Sequence, residues 1–227
     1  MAKDQAGKGG GGGKGGGPKG AGTHKGAKKG EAVEAVAPVG VPRLKQMYDE
    51  QVRPKVAEKF GLSNRMAQPR LEKITINVNM GRHLDGGKLP ANIKQTVTNT
   101  ITAISAQKPI LIQSKKSVSN FKLRAGMDSA SMVTMRRQRM WHFLDRFIHL
   151  ATPRIKDFRG LPAKAFDRQG NFSVGLNEQG VFPEINMAEV DFTHGMNINF
   201  VFSNSTPELS RFVLEQLGMP FQKADEK

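Results

Sequence analysis

The segment 71–78 reads as a strand with two unlike faces. Leu71, Ile74, Ile76 and Val78 are apolar, while Lys73, Thr75 and Asn77 share the opposite side. Period-two patterning of this kind belongs to a β-strand with one side buried. The neighbouring patterns decide what sort of sheet can result. Leu44, Met47, Tyr48, Val52 and Val56 recur at helical spacing across 44–60, with Pro54 expected to kink or split that helix. After a loop through Gly81, Gly86 and Gly87, Pro90 opens a second helix striped by Ile93, Val97, Ile101 and Ile104. Residues 110–112 read as a short buried strand, and 117–124 and 130–136 as two more around a turn at Ala125-Gly126. Met140, Phe143, Leu144, Phe147 and Ile148 mark a helix that Pro153 stops, and a loop-rich region with short strands follows to 194. Residues 196–202 form a strand with Ile198, Phe200 and Phe202 inward. The last helix buries Leu209, Phe212, Val213 and Leu217; it starts with Ser205 and Glu208 at capping-box spacing and stops at Gly218. Strands grouped between helices, without regular β-α alternation, predict an α+β fold. The expected architecture is a single domain, a mainly antiparallel sheet with helices packed on one face. Its other face is free, and Lys73, Thr75 and Asn77 point there.

Composition divides the 227 residues. Residues 1–42 are nearly devoid of large apolar side chains, and 7–30 are a run of glycine and lysine that nothing could order. The expected organisation is a disordered Gly/Lys-rich tail and linker (1–42), a globular domain (43–222) and a short C-terminal tail (223–227). The tail lysines suit loose phosphate contact, or the tail is only a solubilising extension. The absence of cysteine excludes disulfides and thiolate metal sites and fits a reducing, cytoplasmic setting. No apolar run approaches the ~20 residues a membrane helix needs, and the N-terminus lacks the apolar core of a secretory signal, so no membrane partner is expected.

The net charge is +15, and it is unevenly placed. Between residues 108 and 139 stand eight basic residues and one acid, Asp128. A folded surface with a field of one sign calls for a polyanion, nucleic acid first. Ser114, Ser117, Ser119, Asn120 and Thr134 lie among the cations and suit phosphate and ribose. Phe121 suits either an unpaired base or the core. From 169 to 210 there is no Lys or Arg, while Glu178, Glu184, Glu189, Asp191 and Glu208 occur. Either this acidic part has a cationic partner of its own or the acids balance local charge.

Enzyme chemistry finds no support. The glycine-lysine loop at 81–89 places Arg82 where a P-loop needs its first glycine and Leu89 where it needs the Mg²⁺-binding hydroxyl. His24, His83, His142, His149 and His194 show no metal-ligand spacing. The reading is of a non-enzyme without cofactor or metal.

Seven ordered strings carry a resemblance: KITIN (73–77), QKP (107–109), KSVSNFKLRAGM (116–127), VTMRRQRMW (133–141), PRIKDFRGL (153–161), FDRQGNFSVG (166–175) and FPEI (182–185). Together they resemble the family of the fifth protein of the large ribosomal subunit in its bacterial form. The similarity runs from about residue 43 to 222. It implies a structural constituent that binds 5S rRNA and helps attach it to 23S rRNA in the central protuberance, beside the other proteins there. It implies a 5S rRNA surface of Lys73, Thr75, Asn77, Gln107, Phe121 and Thr134. It also implies a loop contacting P-site tRNA through Lys115, Lys116, Ser117, Asn120, Lys122 and Arg124. An intersubunit bridge to the thirteenth small-subunit protein is implied at Glu178, Phe182, Glu184, Glu189 and Asp191. Two departures stand out. Asn79 replaces a usual glycine, where tolerance of positive φ is expected to preserve the turn. Met127-Asp128-Ser129 replaces an apolar-Gly run, and Asp128 dilutes the positive field.

Overall fold

The computed structural model describes residues 40–83, 89–190 and 192–222, without the side chains of Arg82 and Glu189. Residues 1–39 of the expected tail and linker (1–42), the expected C-terminal tail at 223–227, and the loop through Gly86 and Gly87 lie outside the described residues.

Five antiparallel strands form one sheet in the order β2-β3-β1-β5-β4. They are β1 (Arg70–Asn79), β2 (Ile110–Gln113), β3 (Asp128–Met135), β4 (Phe172–Leu176) and β5 (Met196–Ser203). The helices are α1 (Arg43–Met47), α2 (Arg53–Phe60), α3 (Ala91–Ser105), α4 (Arg137–Arg146) and α5 (Pro207–Gln216). The α+β class and the antiparallel sheet are as the sequence predicts. The core lies against one sheet face, where Ile74, Ile76, Val78, Val133, Met135, Ile198 and Phe200 are almost fully buried, together with Phe143, Phe147 and Leu144 of the helical layer.

Central β1 departs from strict alternation for a visible reason. Leu71 and Ile74 are three apart yet both buried. A β-bulge between Leu71 and Lys73 absorbs the extra residue and restores the inward register. The break expected at Pro54 takes the form of one π turn, Tyr48–Val52, between α1 and α2. Proline has no N–H to donate and crowds the carbonyl four residues back, so the turn widens just before it. At the other end of the chain Gly218, at φ +93°, closes α5 as a Schellman motif: Met219 N–H donates to Leu214 O and Gly218 N–H to Glu215 O.

Three local expectations are corrected. Residues 110–112 are not a buried strand: β2 is the sheet edge and Ile110 is 67% exposed, because it pairs with Met132 on the uncovered face. Residues 117–124 are not a strand. They fold as a loop with a 3-10 turn, Ser119–Phe121, closed by one antiparallel bridge between Val118 and Leu123. The cap of α5 is Thr206, whose hydroxyl accepts from Leu209 N–H, while Ser205 instead bonds Ser210. Proline at the first helical position fixes the entry one residue later than the Ser205-Glu208 spacing suggests.

Candidate nucleic-acid interface

The uncovered sheet face is a polar grid whose rows follow from the strand register. One row runs Ser173, Asn199, Thr75, Thr134 across β4, β5, β1 and β3. The next runs Gly175, Asn197, Asn77, Met132, Ile110 and reaches the edge strand. Lys73 stands opposite Val201 one step along. Three of the expected site residues on β1 and one on β3 therefore share a single surface. Ser173, Asn197 and Asn199 belong to the same surface and were not anticipated. The Asn-Ile-Asn alternation at 197–199 is the signal for the two asparagines.

At the β1 C-terminal end this face meets the basic loop. Asn77 and Asn79 line a groove of about 680 Å³ together with Asn120, Phe121, Lys122 and Ser129. Phe121 is 70% exposed, so it is no core residue, and its ring is free to stack. The Oδ1 of Asn77 is buried and has no hydrogen-bond partner. A buried acceptor without a partner costs about 1–3 kcal/mol. Asn79 does not use positive φ. Its Oδ1 accepts from Gly81 N–H at 2.8 Å, so a side-chain turn does what glycine's backbone freedom does elsewhere.

The loop is braced by its own backbone. Ser114 N–H donates to Met127 O at 2.7 Å and Gly126 N–H to Ser114 O at 2.9 Å; Val118 and Leu123 exchange two hydrogen bonds. Ser117 Oγ accepts from Ala125 N–H at 3.0 Å, so that hydroxyl shapes the loop. Lys122 takes φ +51° after the 3-10 turn. Lys115, Lys116, Asn120, Lys122 and Arg124 are all exposed. Gln107 is half-buried, just after α3, in a turn held by Ser105 Oγ.

The acidic part is organised differently. Phe182 is buried and its ring lies 6.0 Å from that of Phe143, so it pins the segment to the core. Gln179 is fully buried; it donates to Phe192 O and accepts from His194 N–H. Glu178 is exposed, and Glu184 pairs with Arg146. The side chain of Glu189, and Asp191 altogether, lie outside the described residues. Among the described residues no cluster could hold a metal ion and no helix is long and apolar enough to cross a membrane.

A polar sheet face continuous with a cationic, braced loop is a surface suited to grip a polyanion. Comparison with known proteins agrees with this chemistry. Residues 64–124 match the family model described as ribosomal protein L5, and residues 128–221 match the model of the same ribosomal family's C-terminus. The large ribosomal subunit protein uL5 of Bdellovibrio bacteriovorus is 47% identical over 181 residues, 80% of this chain and 99% of the relative. That of Geobacter sulfurreducens is 43% identical over 79% of this chain and 98% of the relative. The Rhodopirellula baltica protein is 44% identical over 82% and 93%. The chain belongs to the uL5 family of large ribosomal subunit proteins. It is thus a structural, non-enzymatic constituent of the large subunit, partnered with ribosomal RNA in translation.

Proposed function

We propose that the uncovered sheet face holds 5S rRNA through Lys73, Thr75, Asn77, Gln107, Phe121 and Thr134. On this reading the chain helps attach that RNA to 23S rRNA in the central protuberance, among the other proteins there. The basic loop, with Lys115, Lys116, Asn120, Lys122 and Arg124 outward and Ser117 as its brace, meets P-site tRNA. Glu178, Glu184, Glu189 and Asp191 face the thirteenth small-subunit protein, with Phe182 anchoring their segment. The observation that carries the first assignment is the groove that Asn77 shares with exposed Phe121. A polar amide residue lining the same groove as an unstacked ring suits a splayed nucleotide.

Competition binding tests the reading. Labelled 5S rRNA on the full chain should resist bulk RNA by a factor on the order of 10³. Equal competition would replace this reading with a general RNA-binding role.

A further inference from the structure

The basic loop closes through one methionine. Arg124-Ala125-Gly126-Met127 is a tight turn in which Met127 N–H donates to Arg124 O at 3.2 Å. Gly126 stands third in it at φ +83°, a position that favours glycine. Met127 O accepts from Ser114 N–H at 2.7 Å and ties the turn to the residue after β2. The Met127 side chain then folds back over its own turn, and its sulfur accepts from Arg124 N–H at 3.3 Å. Four consecutive backbone N–H groups are thus engaged. Arg124 donates to the Met127 sulfur, Ala125 to Ser117 Oγ, Gly126 to Ser114 O and Met127 to Arg124 O. Two of these acceptors are carbonyls and one is a hydroxyl. The fourth is a thioether, a weak acceptor and the one group of the four that a mild oxidant alters.

Access and competition favour this sulfur. Met127 is half-buried in an exposed loop, whereas Met80, Met135, Met140, Met196 and Met219 are at most 3% exposed. The chain has no cysteine to intercept an oxidant first. Met66 and Met187 are more open, at 77% and 39%. Among the described residues, however, Met127 is the one methionine whose sulfur accepts a hydrogen bond.

We propose that Met127 is an oxidation site at which the basic loop is reversibly unlocked. A peroxide supplies the oxygen. The sulfur lone pair attacks one peroxide oxygen, so an S–O bond forms as the O–O bond breaks. Sulfur gives up two electrons, and the departing hydroxide takes the remaining proton and leaves as water. The new oxygen either stands between the sulfur and Arg124 N–H or draws the side chain toward water, and in both cases the 3.3 Å contact is lost. Reductases specific for methionine sulfoxide restore the thioether, so the lock can be reset. A looser loop must be ordered again before Lys122 and Arg124 can meet an anion, which weakens that contact. This last consequence rests on the reading of the loop as a tRNA contact; the oxidation and the loosened turn do not.

The test treats the full chain with hydrogen peroxide and locates sulfoxide by peptide mass spectrometry. Met127 should oxidise along with Met66 and Met187, while the five buried methionines are spared. Amide hydrogen exchange should show Arg124 N–H exchanging several-fold faster in the oxidised chain, with protection returned by methionine sulfoxide reductase. Labelled tRNA should bind the oxidised chain roughly two- to tenfold more weakly, the worth of one lost hydrogen bond. Met66→Leu/Met187→Leu should respond to peroxide as wild type does. Met127→Leu, whatever its starting affinity, should respond no further. A Met127 left unoxidised where Met66 and Met187 are converted overturns the proposal. So does a Met127 sulfoxide that leaves Arg124 exchange unchanged, or a Met127→Leu protein that peroxide weakens as much as wild type. Faster Arg124 exchange with tRNA affinity unmoved would uphold the oxidation site and count against the loop as a tRNA contact.

Discussion

Lys94 Nζ lies 2.5 Å from a carboxylate oxygen of Asp128, the one acid in the basic run. α3 thus supplies a cation to the foot of the loop, and the dilution expected from Asp128 is cancelled on the spot. Lys94 is 41% exposed, so the pair contributes little to stability. Asp128→Asn should lower unfolding free energy by less than ~1 kcal/mol in denaturant titration. The same change frees Lys94 and should steepen the salt dependence of RNA binding by up to ~1 in slope.

Asn77 offers an opposite pairing of effects. Its Oδ1 is buried without a partner in the free protein, so Asn77→Ala removes a cost rather than a bond. Thermal unfolding should show stability unchanged or raised. Affinity for 5S rRNA, measured by filter binding, should fall by ~1–3 kcal/mol as the amide's contact with the RNA is lost. A matched loss of stability and affinity would mean that Asn77 serves the fold alone.

Phe121 and Phe182 separate function from packing in the same way. Phe121 is 70% exposed and Phe182 only 1%. Phe121→Ala should leave stability within ~0.5 kcal/mol and weaken RNA binding by ~1–3 kcal/mol, the worth of one stacked base. Phe182→Ala should cost ~3–5 kcal/mol of stability through a core cavity against Phe143. Chemical denaturation and 5S rRNA binding of the two variants read both effects.

The acidic segment is tied to a buried histidine. His194 is 5% exposed, its Nε2 has no partner, and burial lowers its pKa, with His83 nearby adding to the shift. The folded state therefore holds the neutral ring, while the unfolded chain takes up a proton below about pH 6.5. Stability is fully present above that pH and falls as pH drops toward the lowered folded value. Denaturant midpoints at pH 7.5, 6.5 and 5.5 should decline more steeply for wild type than for His194→Leu. Parallel declines would place the pH dependence elsewhere.

The β1 pattern was legible because one face of the strand is wet and the other dry, and that contrast is written into successive residues. Helices α3 and α4 were legible for the same reason, at a different period. β2 and the loop at 117–124 were not. A short apolar run such as Ile110-Leu111-Ile112 looks the same whether it is central or at the edge, and only its pairing with Met132 exposes Ile110. The loop carries strand-like residues whose hydrogen bonds go to a self-contained 3-10 turn instead of a ladder.

By itself, then, the sequence determined the fold class, the one-sided sheet and the demand for a polyanion, because periodicity and net charge are local or additive properties. The tertiary structure decided where that charge acts. β3 runs antiparallel beside β1, so residues 115–124 and 136–139, close in sequence, are carried to opposite ends of the central strand. It also decided that Asn77 and Phe121, 44 positions apart in the chain, line one groove. Distances of that kind are set by strand register and by the side of the sheet the helices cover, and no linear pattern encodes them singly.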